Sequence, residues 1–159
     1  MKSLLLFTII VLCMISCSGP GNDHTQINQN ASLPASFNFK KLGLKVITSS
    51  VNKKQGTMST LFGNEVALKS ASSENQIKPA PNEMLALVTW KQQPDNHWFG
   101  AEIPNDISTL EILSTMNSKD HLSVVYEKFA GKFLERSADT TNEVLREKYM
   151  LSQRASIMP

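Results

Sequence analysis

The chain has 159 residues, enough for one domain of ordinary size, and 41% of them are hydrophobic, which excludes a globally disordered protein. Sixteen basic against fourteen acidic residues give a net charge of +2, which excludes the basic excess of a dedicated nucleic-acid binder. Two cysteines exclude a disulfide-dense scaffold and a multi-cysteine zinc site.

The first seventeen residues, MKSLLLFTIIVLCMISC, have the layout of an export signal. Lys2 precedes a run from Leu4 to Ile15 that is shorter than the roughly 20 apolar residues a bilayer crossing needs. The run ends in Met14-Ile15-Ser16-Cys17, which resembles the lipobox of bacterial lipoproteins. We therefore predict a signal peptide over 1–16 and a diacylglycerol-modified Cys17 that anchors the protein to a membrane.

Cleavage before Cys17 would also determine which cysteines the mature chain keeps. Cys13 lies in the removed segment, so the mature chain would keep one cysteine, acylated, with no free thiol or disulfide. The alternative is a buried N-terminal helix with both cysteines in the core. Ser18 after the lipidated cysteine resembles outer-membrane sorting, so within the cell envelope the outer membrane is favoured over the inner, on the periplasmic or surface side.

Residues 17–38 predict a lipidated cysteine followed by a flexible tether. The segment is rich in Gly, Pro, Asn, Ser and Gln and has few apolar side chains to bury. His24 is expected to be a solvated side chain of this tether. The folded domain is predicted to run from 39 to 159.

The first half of the domain predicts a hairpin and a short helix. Two β-branched strands, 44–51 and 57–62, flank a polar turn that ends in Gly56. Asn64 is a plausible N-cap for a helix over 65–71, and a proline-bearing loop follows.

The second half predicts further strands and a closing helix. The strands are expected at 84–92, at 97–103 with Pro104-Asn105 as its stop, and at 122–129, while 107–115 fits a strand or a short helix. A helix is expected over 143–155, starting at Thr140-Thr141-Asn142-Glu143, with a Glu143–Arg146 pair on its surface. The predicted class is α+β: a mostly antiparallel β-sheet of five or six strands with one short helix and a C-terminal helix.

Several local strings resemble a bacterial branch of the cytochrome P-460 domain family. They are Thr57-Met58-Ser59-Thr60-Leu61-Phe62-Gly63-Asn64, Val88-Thr89-Trp90-Lys91-Gln92, His97-Trp98-Phe99-Gly100-Ala101 and Leu151-Ser152-Gln153-Arg154-Ala155-Ser156. The resemblance covers roughly 39–104 and the tail. It implies a cytochrome P-460-like, mostly antiparallel β domain that is exported to the periplasm and often paired as a homodimer. Characterised members carry a c-type haem and act on hydroxylamine or bind nitric oxide.

The sequence departs from that family at the haem attachment. In that family the haem is covalently attached to a Cys-x-x-Cys-His motif, whereas no cysteine follows Cys17 in this chain. Covalent attachment needs two thiols for two thioethers, so covalent c-type haem is excluded and no cofactor is predicted. A non-covalent haem stays open as an alternative.

Five residues are the main candidates for a cofactor or ligand site: His97, His121, Trp90, Trp98 and Lys91. Neutral imidazole is a usual iron ligand, which makes His97 and His121 axial-ligand candidates, each weighed against an ordinary place in a strand. Trp90 and Trp98, together with Phe99 and Tyr126, are candidates to line a small-molecule pocket, although core packing is the commoner role. Lys91 completes the set, because it lies in the strand where it can be compared with the lysine that is bonded to the porphyrin in hydroxylamine-oxidising family members; that role is not carried over to it. Asp120 precedes His121, but neighbours in a strand point to opposite faces, which argues against a dyad.

The expected function is a lipid-anchored bacterial envelope protein with a cytochrome P-460-like domain that acts as a non-catalytic binding or structural module. The expected partners are the membrane, through Cys17, and a second copy in a homodimer; nucleic acid is not expected. Two alternatives remain: a non-covalent haem protein for redox chemistry or for binding nitrogen oxides, and an enzyme of unknown class with a small aromatic pocket.

Overall fold

The computed structural model describes residues 28–73, 78–118, 121–131, 133–139 and 141–156. The predicted class is confirmed: these residues form an open six-stranded antiparallel sheet in the order β1-β2-β3-β4-β5-β6, with two helices, one of them C-terminal. The strands are β1 (Lys45–Asn52), β2 (Thr57–Gly63), β3 (Met84–Pro94), β4 (Glu102–Ser118), β5 (His121–Ala130) and β6 (Glu135–Arg136). The helices are α1 (Glu65–Ser72) and α2 (Glu143–Ser152). The predicted signal peptide, Cys17 and His24 lie outside the described residues.

The β1–β2 hairpin and α1 follow the sequence prediction within one residue at each end. Gly56 adopts φ +60° in the turn, a conformation that favours glycine. Asn64 caps α1: its side-chain Oδ1 accepts from the Ala67 N–H at 3.0 Å, and its Nδ2 donates to the Asn82 carbonyl at 2.8 Å. The cap thus ties the start of the helix to the loop that leads into β3.

The β3–β4 hairpin is longer than predicted, and two of its predicted boundaries are wrong. Residues 97–100 form the hairpin turn rather than a strand, and β4 runs through Pro104 instead of stopping there. Register shifts explain the second difference: Trp90 pairs with Ile107 and Gln92 with Pro104, so β4 holds one extra residue between these two pairs. Proline is tolerated in a strand beside such bulges. Residues 107–115, which the sequence allowed to be a strand or a short helix, are part of strand β4.

The C-terminal helix is shorter than predicted. α2 ends at Ser152 rather than Ala155, because the chain becomes extended at Gln153 and then bonds back to the domain. The Ala155 N–H donates to the Ala71 carbonyl at 3.1 Å, and the Ser156 N–H to the Ile47 carbonyl at 2.8 Å. At the other end Asn142 has φ +64° and makes no side-chain capping bond; Thr140 lies outside the described residues.

The sheet is covered on both faces. Both helices lie on one face, the helix face, whose core includes Ile47, Leu61, Leu85, Leu113 and Met150. On the opposite face Val88 and Leu110 contact the segment before β1. That segment contains Leu33 and Phe37, and the Phe37 ring lies 5.1 Å from the Phe129 ring. The part of the predicted tether that the structure describes, from Asn28, therefore packs on the sheet, because these two apolar side chains find a buried surface.

Neither helix in the described ranges has the length and hydrophobicity that crossing a membrane requires.

Candidate functional site

A buried carboxylate marks the centre of the helix face. Glu111 on β4 is only 3% exposed, in a position where its neighbours Leu110 and Leu113 are fully buried. Arg146 of α2 binds it with two bonds, Nε to Oε1 at 2.8 Å and Nη2 to Oε2 at 2.5 Å. The Tyr126 hydroxyl of β5 also donates to Oε1. The carboxylate is therefore engaged by two other elements of the fold.

This arrangement shifts the pKa values of Tyr126 and Arg146. Burial, and then the hydrogen bond to the Glu111 carboxylate, raise the pKa of Tyr126 well above its usual value of 10.0. The same carboxylate raises the pKa of Arg146, chiefly by accepting its hydrogen bonds. The Arg146 guanidinium also lies 5.0 Å from the Tyr149 ring centroid, a cation–π distance. The hydrogen bonds thus join α2 to β4 and β5 through the Glu111 carboxylate.

A second ion pair lies beside the first. Lys128 is the cross-strand partner of Glu111, and its Nζ is 2.8 Å from Oδ2 of Asp139. The pKa of Asp139 is lowered by its hydrogen bond with Lys128 and then by those with Thr141. The Lys128–Asp139 ion pair thus holds the segment before α2 against β5, and the Arg146–Glu111 ion pair holds α2 against β4.

The two ion pairs border an open cavity of about 1190 Å³, here called the hydroxyl cavity. Its floor is the polar end of the helix face, where the apolar core gives way to small hydroxyl side chains. Ser59 and Thr89, cross-strand partners, are hydrogen-bonded to each other at 3.0 Å. The other hydroxyl groups are on Ser50, Thr57, Ser108, Thr109 and Thr141. Lys53 and Lys54 of the β1–β2 turn stand at the rim.

A smaller cavity of about 590 Å³ lies at the other end of the helix face, between α1, the sheet and α2. Glu83, 2% exposed, is its buried carboxylate and accepts a hydrogen bond from Ser70 of α1. The Glu83 N–H donates to Oγ1 of Thr115 at 2.8 Å, and this Oγ1 donates to the Ala80 carbonyl at 2.6 Å. These bonds give Glu83 a structural role in holding the loop before β3.

The predicted site residues do not come together. His97 and Trp98 lie in the β3–β4 turn, where the His97 side chain is 85% exposed and Trp98 71% exposed. His121 is exposed at the start of β5 and pairs with Ser118, the last residue of β4. The 17 residues of β4 separate the two histidines, roughly 50 Å at about 3.3 Å per residue. They cannot bind the same ligand within one molecule.

The two remaining candidates lie near each other on β3 but have different surroundings. The Trp90 indole packs on the face opposite the helices, and its Nε1 donates to the Ala31 carbonyl at 2.9 Å. Lys91 is exposed and lines a third cavity, of about 610 Å³, with Ser32, Asp106 and Ser108, and neither His97 nor Trp98 lines it. Tyr126 is on the helix face and Phe99 is fully exposed. Trp90, Trp98, Phe99 and Tyr126 therefore do not line one common pocket.

The same placement tests the fit of a haem. A haem needs an axial ligand inside an apolar pocket. Neither histidine lines any of the three cavities, and the aromatic side chains are divided among both faces and the hairpin turn. In the ranges that the structure describes, the residues therefore do not fit this group. Within the described ranges, no group of three or more His, Cys, Asp or Glu side chains is placed to hold a metal ion.

Sequence reasoning missed the Glu111–Arg146 pair. The predicted partner of Arg146 was Glu143, whereas the structure pairs Arg146 with a carboxylate 35 residues away. The available signal was Glu111 itself, a charged residue inside the apolar run Leu110-Glu111-Ile112-Leu113. A charge at an inward position of a strand requires a partner.

No protein-family model matches the chain, and no curated protein is significantly similar to it.

Proposed function

We propose that this chain is a lipid-anchored protein of the bacterial cell envelope whose cytochrome P-460-like domain is a non-catalytic binding module. The anchor is Cys17, after removal of residues 1–16, and the outer membrane is its favoured location. The observation that carries the binding role is the hydroxyl cavity on the helix face. The family resemblance further implies a homodimer, which light scattering of the purified protein would test.

The ion pairs around the cavity favour binding over catalysis. A general acid or base needs a titratable group that is free to exchange a proton near neutral pH. Glu111 is engaged by Arg146 and Tyr126, and Lys128 is engaged by Asp139. These two ion pairs of the cavity wall thus hold α2 and the segment before it on the sheet.

The charges of the lining indicate the class of ligand. Four cationic side chains, Lys53, Lys54, Lys128 and Arg146, face two carboxylates, Glu111 and Asp139, a net charge of +2. The hydroxyl groups of the floor both donate and accept hydrogen bonds. We therefore assign the cavity to a polar, anionic ligand rich in hydroxyl groups, of the acidic-sugar type.

Glucuronate and glucose are a matched pair of probes because they differ in one carboxylate. In amide NMR spectra of the acylated protein in detergent, glucuronate is expected to shift the signals of Ser59, Thr89 and Thr109 at lower concentration than glucose. Lys53→Gln/Lys54→Gln should weaken glucuronate binding by roughly tenfold, the sum of two exposed charge contacts. The control is Lys40→Gln/Lys41→Gln, another exposed lysine pair, which does not line the cavity.

Shifts that avoid the cavity, or equal loss of binding in both lysine variants, would contradict the binding assignment. The anchor is tested separately by growth with labelled fatty acid. Label is expected in the wild-type protein and not in Cys17→Ser. Label that persists in Cys17→Ser would contradict anchoring at this residue.

A further inference from the structure

The turn of the β3–β4 hairpin presents two aromatic side chains to solvent. Residues 95–101, here called the hairpin tip, are closed by two backbone bonds: the Asp95 N–H to the Ala101 carbonyl at 2.9 Å, and the Ala101 N–H to the Trp98 carbonyl at 3.0 Å. Gly100, with φ +77°, completes the turn. Trp98 is 71% exposed and Phe99 is fully exposed. A turn closed by its own bonds therefore holds a large apolar surface in water.

The hairpin tip stands at the end of a projecting arm. β2 pairs with β3 only as far as Lys91, and β5 begins to pair with β4 at Thr109. Between these points and the tip, β3 and β4 have only each other as strand neighbours in the described part of the chain. The aromatic pair is thus displaced from the body of the sheet.

The chain enters the domain at the same end. Asn28, the first described residue, donates from Nδ2 to the Pro104 carbonyl at 2.9 Å. Phe99 is five residues from Pro104, within roughly 17 Å along the arm, whereas Ser118 at the far end of β4 is roughly 46 Å away. Eleven residue steps join Cys17 to Asn28, a reach of at most about 40 Å. A lipid held by Cys17 can therefore reach the hairpin tip, whereas the far end of β4 lies beyond the length of the connecting segment.

We propose that the hairpin tip, through Trp98 and Phe99, inserts into the headgroup region of the membrane that holds Cys17. This inference rests on the proposed anchor and adds a second membrane contact that orients the domain. Tryptophan is enriched at membrane–water interfaces, where its ring is apolar and its N–H stays hydrated. The anchor makes the contact intramolecular, so a weak insertion is sufficient.

The charges near the hairpin tip select the type of lipid. Asp95, whose pKa is lowered chiefly by the His97 backbone N–H, carries a negative charge, and Glu102 is exposed beside it. Acidic side chains at the contact are repelled by anionic headgroups. Insertion is therefore expected to be stronger in zwitterionic than in anionic vesicles.

The experiment uses the mature acylated protein in phosphatidylcholine vesicles that contain lipid brominated in the acyl chain. The chain has two tryptophans, so Trp90→Phe leaves Trp98 as the only one. We expect its fluorescence to shift to the blue, to be quenched by brominated lipid and to be shielded from iodide. Trp98→Phe, which keeps Trp90, is the matched control and should show no quenching by brominated lipid. Subtracting the Trp98→Phe spectrum from the wild-type spectrum gives a second measure of Trp98 fluorescence. This measure does not depend on replacing Trp90.

The outcomes separate this inference from the anchor. Protein that carries the acyl group and sediments with vesicles, but whose Trp98 stays accessible to iodide and unquenched by brominated lipid, overturns the insertion and leaves the anchor standing. Trp98 that is shielded from iodide yet unquenched by brominated lipid indicates a protein contact and also overturns the insertion. Protein without an acyl group at Cys17 overturns both proposals.

Discussion

Arg146 and Glu111 join the C-terminal helix to the centre of the sheet through two parallel hydrogen bonds, 2.8 and 2.5 Å long. The Glu111 carboxylate is nearly inaccessible, whereas the Arg146 side chain is 38% exposed at the edge of the hydroxyl cavity. The bidentate geometry is one that a guanidinium can form and an ammonium group cannot. The pair therefore fixes where α2 lies on the sheet and with it one wall of the cavity.

Replacing Arg146 with methionine should destabilise the fold. The substitution keeps the apolar stem but leaves a buried, uncompensated carboxylate. We expect the free energy of unfolding to fall by roughly 3 kcal/mol. This is at the low end of the range for breaking a buried ion pair, because the Arg146 side chain is partly exposed. Urea denaturation measures the change in the free energy of unfolding.

Two further variants test whether the unpaired Glu111 carboxylate causes this loss of stability. Lys148→Met is the matched control on the same helix, and at an exposed position it should change stability by less than about 0.5 kcal/mol. Glu111→Leu/Arg146→Met removes both charges and should recover much of the loss. Equal effects of the Arg146 and Lys148 changes would show that the ion pair does not hold the helix.

Tyr126 should make stability fall at alkaline pH. In the unfolded chain the tyrosine loses its proton near pH 10, whereas burial and Glu111 keep it protonated in the folded protein by raising its pKa. Above pH 10 the unfolded state therefore binds fewer protons, so the free energy of unfolding decreases as pH rises. Urea denaturation between pH 8 and about 11 measures this slope.

Tyr126→Phe should lower stability at pH 7 by roughly 2 kcal/mol, the cost of a hydrogen bond to a charged group, and should flatten the alkaline slope. Tyr149→Phe leaves the Tyr126–Glu111 bond in place and should keep that slope. An unchanged slope in Tyr126→Phe would assign the alkaline loss to other groups.

Gly63→Ala should destabilise the junction between β2 and α1 by overpacking. A Cβ at this position would lie 2.5 Å from Cδ1 of Ile47 and 2.9 Å from Cβ of Ala67. We expect a cost of about 1–3 kcal/mol by thermal or urea unfolding. Ile47→Val removes the nearer atom, so the double variant should lose less stability than the sum of the single changes. Strict additivity would contradict this account of the contact.

The elements that local signals define could be predicted from the sequence. The Asn52–Gly56 turn and the Asn64 cap act within a few residues, and they place β1, β2 and α1 correctly. Pro104 gave a misleading signal because its effect depends on pairing: beside the bulges of β4 it sits in a strand. The end of α2 is likewise set by hydrogen bonds from the residues after it to the carbonyls of Ala71 and Ile47. These carbonyls are distant in sequence, so no local sequence pattern indicates the bonds.

The candidate site could not be predicted in the same way. Its walls come from the β1–β2 hairpin, from β3, β4 and β5, and from α2 with the segment before it. These residues meet only through the register of the sheet and the docking of the helix. His97 and Trp98 looked like site residues because of their type and proximity. Their position in a projecting turn instead makes them a surface feature.

The most direct test of the account is the intact mass of the protein purified from membranes, with sequencing of its first peptide. We predict a chain that begins at Cys17, lacks residues 1–16 and carries the added mass of a diacylglycerol group, with or without a third acyl chain. A mass that includes residues 1–16, or an unmodified amino terminus at another residue, would contradict the anchor and the orientation derived from it.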